Sequence, residues 1–185
     1  MENKRNWSYT ITEGPHKGTT LFSGRYVAVV PCVFKTDENT GEISVLANKR
    51  GSDTPNPEYR GKWNLPCGFL EPETGEEACS RETYEECGLK INPSKFEFFN
   101  LVTDPKNDKN VGLRYIASLI TGIDNTELDN IESVKKGELG GEKNEVDDVK
   151  WIPIKDIDKY EWAFNHKDII NEIINSMMTN QTNYR

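Results

Sequence analysis

The chain has 185 residues, of which 35% are hydrophobic and 10% aromatic, and it carries a formal net charge of −8. This size and composition predict a single domain over residues 1–185 with a substantial hydrophobic core. The negative charge argues against a nucleic acid polymer or an anionic membrane as a partner, because both require clustered Lys and Arg. A small phosphorylated substrate is compatible with it, since a bound metal ion can reverse the local charge.

The N-terminal residues and the cysteines indicate the cellular compartment. The first residues, MENKRNWSYTI, lack the apolar segment of a signal peptide, and no apolar run in the sequence is long enough to span a membrane. We therefore expect a cytoplasmic protein whose cysteines are reduced. The four cysteines form no CxxC pair, which argues against a zinc site.

Three segments near the N-terminus have the pattern of β-structure. Residues 7–23, with the turn GPHKG, predict an outlying hairpin. Residues 25–34, RYVAVVPCVF, form an apolar run typical of a buried strand, in which Pro31 marks a bulge or an edge. The polar turn TDENTG joins this strand to a predicted hairpin partner at residues 42–47.

A polar loop rich in Gly and Pro follows at residues 48–62 and leads into a short strand beginning at Trp63. Guanidinium and ammonium groups in such a loop are candidates for contacts with substrate phosphate. The candidates are Arg50, Arg60 and Lys62. Each of them is also compatible with an ordinary surface charge.

The next segment predicts a short helix over Gly75–Cys87. Thr74 is suited to the N-cap position, and Glu77 can complete a capping box with it. Gly88 provides the left-handed residue that commonly ends a helix. Cys79, Thr83 and Cys87 recur every four residues and are expected to face the core.

One face of this helix carries three carboxylates. Glu82, Glu85 and Glu86 stand at positions i, i+3 and i+4, so their like charges repel one another. A divalent cation such as Mg²⁺ or Mn²⁺ would relieve that repulsion, because both ions prefer carboxylate oxygens. A solvated acidic helix face is the alternative interpretation of the same three residues.

The second half of the chain continues with strands and ends in a helix. Apolar alternation predicts strands at residues 95–103 and 112–121, and another strand covers residues 145–151. Isoleucines at helical spacing after Asn165 predict a terminal helix, and residues 179–185 are expected to be a disordered tail. Periodicity alone thus supports an α/β or α+β domain.

The segment from Gly68 to Leu89 resembles the Nudix box. In that family the motif reads Gly, five residues, Glu, seven residues, Arg-Glu, an apolar residue, any residue, Glu-Glu, any residue, Gly and an apolar residue. This sequence has Glu73, a gap of seven residues, and then Arg81-Glu82-Thr83-Tyr84-Glu85-Glu86-Cys87-Gly88-Leu89. Gly68 stands only four residues before Glu73, so either the loop is one residue short or Cys67 occupies the glycine position. Thr83 replaces the usual aliphatic residue.

The resemblance implies an α/β/α sandwich with a mixed β-sheet between helices. It also implies metal ligands on the box helix and in the preceding loop, namely Glu82, Glu85, Glu86 and the backbone carbonyls of Cys67 and Gly68. Arg81 would orient Glu73 through a bidentate pair. The general base varies within the family, and Glu82 and Glu145 are the candidates here. Glu145 matches a family glutamate found a few residues before a tryptophan strand, with Glu142 as the second choice.

The function implied is Mg²⁺-dependent hydrolysis, with Mn²⁺ as an alternative ion. The substrate would be a nucleoside diphosphate linked to another moiety, with the ADP-ribose or sugar-nucleotide type favoured over a nucleoside triphosphate. Residues Ala163-Phe164-Asn165-His166 resemble a segment of Nudix subfamilies that act on ADP-ribose-like or nicotinamide-related compounds. A non-catalytic Nudix-like nucleotide-binding module or sensor is the alternative. The oligomeric state is left open, although the N-terminal hairpin could pair with a second subunit to form a homodimer.

Overall fold

A small hairpin precedes the main body of the molecule. The computed structural model describes residues 8–22, 26–54, 56–103 and 110–182. Strands β1 (Ser8–Thr10) and β2 (Thr20–Phe22) pair antiparallel as a separate two-stranded sheet. Residues 7 and 23, the ends of the hairpin predicted from the sequence, lie outside the described residues.

A seven-stranded mixed sheet forms the centre of the molecule. Its strand order is β5-β4-β3-β8-β7, with β6 paired to β3 and β9 paired to β4. The longest strands, β3 and β8, run parallel along eleven residue pairs, whereas the other pairings are antiparallel. The strands are β3 (Tyr26–Thr36), β4 (Ile43–Arg50), β5 (Trp63–Asn64), β6 (Gly68–Phe69), β7 (Glu97–Thr103), β8 (Asn110–Ile120) and β9 (Val146–Pro153).

Strand β3 is central but changes partner along its length. Its N-terminal part pairs with β6, and its C-terminal part pairs with β4 from Phe34 onward. Pro31 lies between these two ladders, where its missing N–H is not needed on that side. The sequence predicts a bulge or an edge at Pro31, and in the structure this side of β3 is divided between two partner strands.

Helices cover both faces of the sheet. Helices α1 (Gly75–Cys87) and α2 (Ile131–Lys135) pack on one face, and α3 (His166–Thr182) packs on the other. Alternate side chains of β3 serve the two cores: Val29 and Val33 contact the α1 side, whereas Val30, Cys32 and Phe34 contact the α3 side. This layering confirms the predicted α/β/α sandwich. Short 3₁₀ helices lie at Pro57–Tyr59, Pro93–Lys95 and Ile154–Lys159.

Helix α1 begins and ends where the sequence predicts. The Thr74 hydroxyl accepts from the Glu77 amide, and the Glu77 carboxylate accepts from the Thr74 amide, which completes the capping box. Gly88 ends the helix in the left-handed conformation, with φ of 71°. Cys79, Thr83 and Cys87 are fully buried, as expected from their spacing. The opposite side of the helix, with its carboxylates, is thereby fixed in direction.

Helix α3 is longer than the sequence suggested. It extends to Thr182, so the expectation of disorder from residue 179 is wrong for residues 179–182. The segment contains no Gly or Pro to end the helix, and the Thr179 hydroxyl donates to the Asn175 carbonyl one turn earlier. Residues 183–185 lie outside the described residues.

Candidate active site

A cavity of about 480 Å³ lies beside the carboxylate face of α1. The loop before α1, the start of β8 and the loop before β9 complete its walls. Five glutamates line it, contributed by two separate parts of the chain: Glu82, Glu85, Glu86, Glu142 and Glu145. Cys67, Gly68 and Arg50 line it as well. The fold therefore gathers most of the sequence-predicted site residues around one space.

Arg81 connects the loop half of the motif to its helix half. Its guanidinium donates twice to Glu73 Oε1, from Nε at 3.0 Å and from Nη2 at 2.7 Å. Nη1 donates to Glu82 at 2.6 Å and to Glu85 at 3.1 Å, and Nη2 also donates to a loop carbonyl at Phe69. These bonds hold the pKa of Arg81 above its ordinary value, chiefly through Glu73. The Arg81 guanidinium thus holds three carboxylates in place and ties the loop before α1 to the helix.

Glu86 is the most constrained of the carboxylates. It is only 6% exposed, and its Oε2 accepts from Asn48 Nδ2 at 2.7 Å and from the Cys67 amide at 3.1 Å. Burial raises the pKa of Glu86 well above its ordinary value, and the charges of Glu82 and Glu145 raise it further. Two neutral donors do not offset the cost of burying this charge beside other carboxylates.

Glu82 occupies a similar environment with a cationic neighbour. Burial raises its pKa to about 7, although Arg81 acts in the opposite direction. The charges of Glu85 and Glu145 contribute to the increase. The carboxylates of α1 and Glu145 therefore form one electrostatically coupled group that has more negative charge than its surroundings neutralise.

Gly68 is the residue at which the loop approaches the helix most closely. A Cβ atom built on Gly68 would stand 2.1 Å from Glu82 Oε1, far inside van der Waals contact. The neighbouring Cys67 has a side chain in place and contacts Glu86 through its backbone amide. Of the two interpretations of the short loop, this geometry favours Gly68 as the residue that must be glycine.

The loop before β9 forms the opposite wall. Gly140 lies against Glu85, because a Cβ atom there would stand 2.6 Å from Glu85 Oε1. The backbone of Glu145 is tied to the loop after β4 by a bond from the Gly51 amide to its carbonyl at 2.6 Å. This bond positions Glu145 across the cavity from α1, although 59 residues of sequence separate it from Glu86.

The donor set of the cavity is suited to a hard divalent cation. Burial and the charges of neighbouring carboxylates raise the pKa of Glu82 and Glu86, and an ion of charge +2 would offset the repulsion. Among the described residues, no three Asp, Glu, His or Cys side chains already converge on one point as a ligand set. Two of these carboxylates, Glu82 and Glu85, are paired with Arg81.

The three cations predicted to contact phosphate are placed differently. Arg50 lines the cavity; it is 7% exposed, donates to Thr54 and has an Nε atom without a hydrogen-bond partner in the described structure. Arg60 is exposed, and the Lys62 ammonium lies 5.7 Å from the centre of the Tyr59 ring. Neither Arg60 nor Lys62 is among the described residues that line the cavity.

Some residues of the site have no sequence signal of their own. Asn48 in β4 bonds to Glu86 from 38 positions away, and Asn56 and Asn110 are among the residues that line the cavity. Phe164 reaches it from the segment before α3. In the sequence, the segment Ala163–His166 resembles certain Nudix subfamilies, but this resemblance predicts no role for Phe164.

Comparison with known families identifies the architecture. The family described as NUDIX domain matches residues 25–173, which include the whole sheet except the separate hairpin. The chain belongs to the Nudix family. As predicted, it is therefore a Nudix-type hydrolase, and the matched range includes the box helix, Arg81 and Glu145. No curated protein matches the chain.

Solved Nudix structures share this fold at low sequence identity. The NUDIX domain of Shewanella oneidensis NrtR, in complex with ADP ribose, is 21% identical with a TM-score of 0.62, covering 84% of this chain and 90% of that one. A MutT/nudix protein from Enterococcus faecalis is 18% identical with a TM-score of 0.61, covering 86% and 66%. A bifunctional NMN adenylyltransferase/ADP ribose pyrophosphatase from Francisella tularensis, with AMP and a Mn ion, is 20% identical with a TM-score of 0.56, covering 84% and 42%.

These neighbours bear on the partner predictions only in general terms. The Shewanella domain is in complex with ADP ribose and the Francisella protein with AMP, in keeping with the small nucleotide-type ligand expected from the sequence. Shewanella oneidensis NrtR has also been solved with a 27mer DNA, so a Nudix domain can belong to a DNA-binding protein. Within the described residues, no helix is both long and apolar enough to cross a membrane.

Proposed function

We propose that this Nudix protein hydrolyses the pyrophosphate of a nucleoside diphosphate linked to another moiety, with Mg²⁺ as the metal ion and Mn²⁺ as an alternative. ADP-ribose and sugar nucleotides are favoured over nucleoside triphosphates. The observation that carries the proposal is the cavity lined by Glu82, Glu85, Glu86 and Glu145, in which burial and neighbouring carboxylates raise the pKa of Glu82 and Glu86. Such an excess of negative charge opposes binding of an anionic substrate until a cation is present.

The α1 carboxylates would hold the metal ion. Glu82, Glu85 and Glu86 are the ligands, and backbone carbonyls at Cys67 and Gly68 are the candidates from the loop. When bound, the ion would neutralise charge on the pyrophosphate oxygens and lower the pKa of a coordinated water. Arg81 pairs with Glu73, Glu82 and Glu85, so Glu82 and Glu85 would exchange their bonds to Arg81 for bonds to the ion.

Proton removal from the attacking water falls to one of two glutamates. Glu82 is one candidate, because it is buried on the α1 wall of the cavity. Glu145 lies on the opposite wall and is partly exposed. Arg50 is the phosphate contact best supported, because its guanidinium lines the same cavity and its Nε has no partner among the described residues.

The preference for a linked nucleoside diphosphate rests on the rim of the cavity. Phe69 and Phe164 are both exposed there, at 54% and 41%. Exposed aromatic rings of this kind can stack against the base of a nucleotide. The ADP ribose and AMP bound by the Shewanella and Francisella proteins support the same class of ligand.

A non-catalytic nucleotide-binding module or sensor is the second candidate. The observation in its favour is the engagement of Arg81 with Glu82 and Glu85, which leaves no ready set of metal ligands among the described residues. Against it, every acidic residue of the Nudix box is present.

A substrate panel separates the two candidates. Release of phosphate or mononucleotide would be measured for ADP-ribose, dinucleotides, nucleotide sugars and nucleoside triphosphates, with Mg²⁺ and with a chelator. We expect Mg²⁺-dependent cleavage, fastest with ADP-ribose or a nucleotide sugar. Thermal stabilisation by these compounds without any cleavage would contradict the proposal and support the binding module.

A further inference from the structure

A second cavity of about 380 Å³ adjoins the acidic one. The two share Asn110 and Phe164 in their linings, so they are neighbouring compartments of one groove. The second cavity contains no carboxylate among its described lining residues. They are Val30, Tyr59, Val102, Asn110, Gly112, Arg114, Phe164, Asn165, His166 and Ile169. It is therefore chemically unlike the acidic cavity and suited to a different part of a ligand.

Phe164 forms the boundary between the cavities, and its backbone is unusual. Its φ is 54°, a left-handed conformation that bulky residues seldom adopt because it is strained. The flanking residues hold it there: the Ala163 amide donates to the Trp63 carbonyl at 2.7 Å, and His166 Nδ1 accepts from the Leu65 amide at 3.0 Å. Strain maintained by a buried frame on both sides fixes the position of the exposed ring.

The ring of Phe164 has three close neighbours. The Tyr59 ring lies 4.4 Å away between centroids, His166 lies 5.1 Å away, and the Arg50 guanidinium lies 5.3 Å from the ring centre. Despite these three neighbours, 41% of Phe164 is exposed. A large apolar ring is thus held rigidly, with part of its surface left for a ligand.

We propose that the second cavity is the subsite for a heteroaromatic base of the substrate and that Phe164 is the platform on which this base stacks. The inference rests on the proposed function, because the base would belong to the molecule whose pyrophosphate lies at the carboxylates. Val30 and Ile169 provide apolar walls, while Asn110, Asn165 and Arg114 provide amide and guanidinium groups for the polar edge of a base. Phe164 is therefore a specificity-determining residue.

The polar groups of this subsite are firmly held. Arg114 is 6% exposed and donates from Nη1 to Glu172 at 2.6 Å, which fixes its guanidinium beside the cavity. His166 is 4% exposed, and burial together with the charges of Arg50 and Arg114 lowers its pKa to about 3. His166 is therefore neutral at physiological pH and adds no charge to the subsite.

Calorimetric titration with AMP and with ribose 5-phosphate tests the assignment. The two probes share ribose and phosphate and differ in the base, and neither contains a pyrophosphate, so binding is measured without turnover. In the presence of Mg²⁺, we expect AMP to bind the wild type more tightly by about 5- to 100-fold, the range associated with stacking of one base. Phe164→Ala should remove that advantage and leave ribose 5-phosphate binding unchanged.

Three further variants separate stacking from general effects. Phe164→Tyr should keep the AMP advantage because it keeps the ring, whereas Phe164→Leu, which is apolar without a π face, should lose it. Phe98→Ala removes a ring that is more exposed than Phe164, at 54%, and lines neither cavity, so it should not change the binding of either probe. Melting curves establish that each variant is folded.

Several results would overturn the subsite. They are equal binding of AMP and ribose 5-phosphate by the wild type, no AMP binding at all, or an AMP advantage that survives Phe164→Ala or Phe164→Leu. The outcome is independent of catalysis. Phe164-dependent AMP binding without cleavage of any compound in the panel would contradict the proposed hydrolysis and leave the subsite in place. Cleavage with Phe164-independent AMP binding would overturn the subsite alone.

Discussion

Gly68 shows how a single residue determines the position of a carboxylate. Because a Cβ atom there would stand 2.1 Å from Glu82 Oε1, Gly68→Ala requires the Glu82 side chain to move. The moving group is the end of a flexible side chain, so we expect little loss of stability. Displacement of a ligand by about 1 Å is enough to slow turnover on the order of 100-fold. Steady-state kinetics and a melting curve on the same preparation measure both effects.

Cys67→Ala is the matched control for that variant. It alters the adjacent residue but keeps the backbone amide that donates to Glu86, so turnover should be close to wild type. Reversed behaviour, with Gly68→Ala active and Cys67→Ala inactive, would mean that Cys67 occupies the glycine position of the motif.

His166, the first residue of α3, is buried, and its Nδ1 accepts a hydrogen bond from the Leu65 amide. Its pKa is about 3 in the folded protein and about 6.5 in the unfolded chain. Between these values the unfolded state binds more protons, so the contribution of His166 to stability is complete above pH 6.5 and is lost as the pH falls. At pH 5 the loss amounts to about 2 kcal/mol.

His166→Gln tests this contribution. Glutamine does not titrate, so the fall in unfolding free energy between pH 7.5 and pH 5 should be smaller by about 2 kcal/mol than in the wild type. Urea unfolding at the two pH values measures it, and the difference between the proteins cancels the titration of the buried glutamates. His16→Gln, at an exposed turn position, should behave as wild type. Parallel pH profiles for wild type and His166→Gln would contradict the assignment.

At the scale of elements, helix α1 could be predicted from the sequence because its signals are local. Thr74, Glu77 and Gly88 are adjacent in sequence to the ends they determine, and the observed bounds agree with those predicted. The end of α3 could not be predicted in this way, since its polar last turn lacks a breaking residue and composition alone suggested disorder. The end of a helix can be predicted from the sequence where a capping residue is present, and cannot be predicted in this way where none is present.

Strand pairing explains what the sequence left out of the site. The two-residue strand β6 pairs with β3 just before Pro31, and Gly68 in this strand lies against the Glu82 carboxylate. The register of β4 places Asn48 beside Glu86. Backbone hydrogen bonds of residues 161 and 163 to Trp63 in β5 bring Phe164 to the cavity. None of these contacts has a periodicity that sequence analysis could detect.

At the scale of the whole molecule, the sheet places side by side one acidic compartment and one that has no carboxylate among its described lining residues. The helix layer on one face supplies the carboxylates of α1, and the segment leading into the other helix layer supplies Phe164. The acidic side chains that line the groove thus lie in one of its two compartments, among the described residues. A ligand that is polyanionic at one end and aromatic at the other matches this division, which is the pattern of an ADP-ribose-type molecule.

The most direct test of this account is hydrolysis of ADP-ribose by Glu85→Gln. The variant keeps the shape of the side chain and removes one charge that a metal ion requires, so with Mg²⁺ we expect a loss of turnover of about 100-fold or more. Glu76→Gln, on the same helix but away from the cavity, should retain wild-type turnover. Unchanged Mg²⁺-dependent turnover in a folded Glu85→Gln protein would contradict the assignment of this carboxylate cavity as the metal-dependent catalytic site.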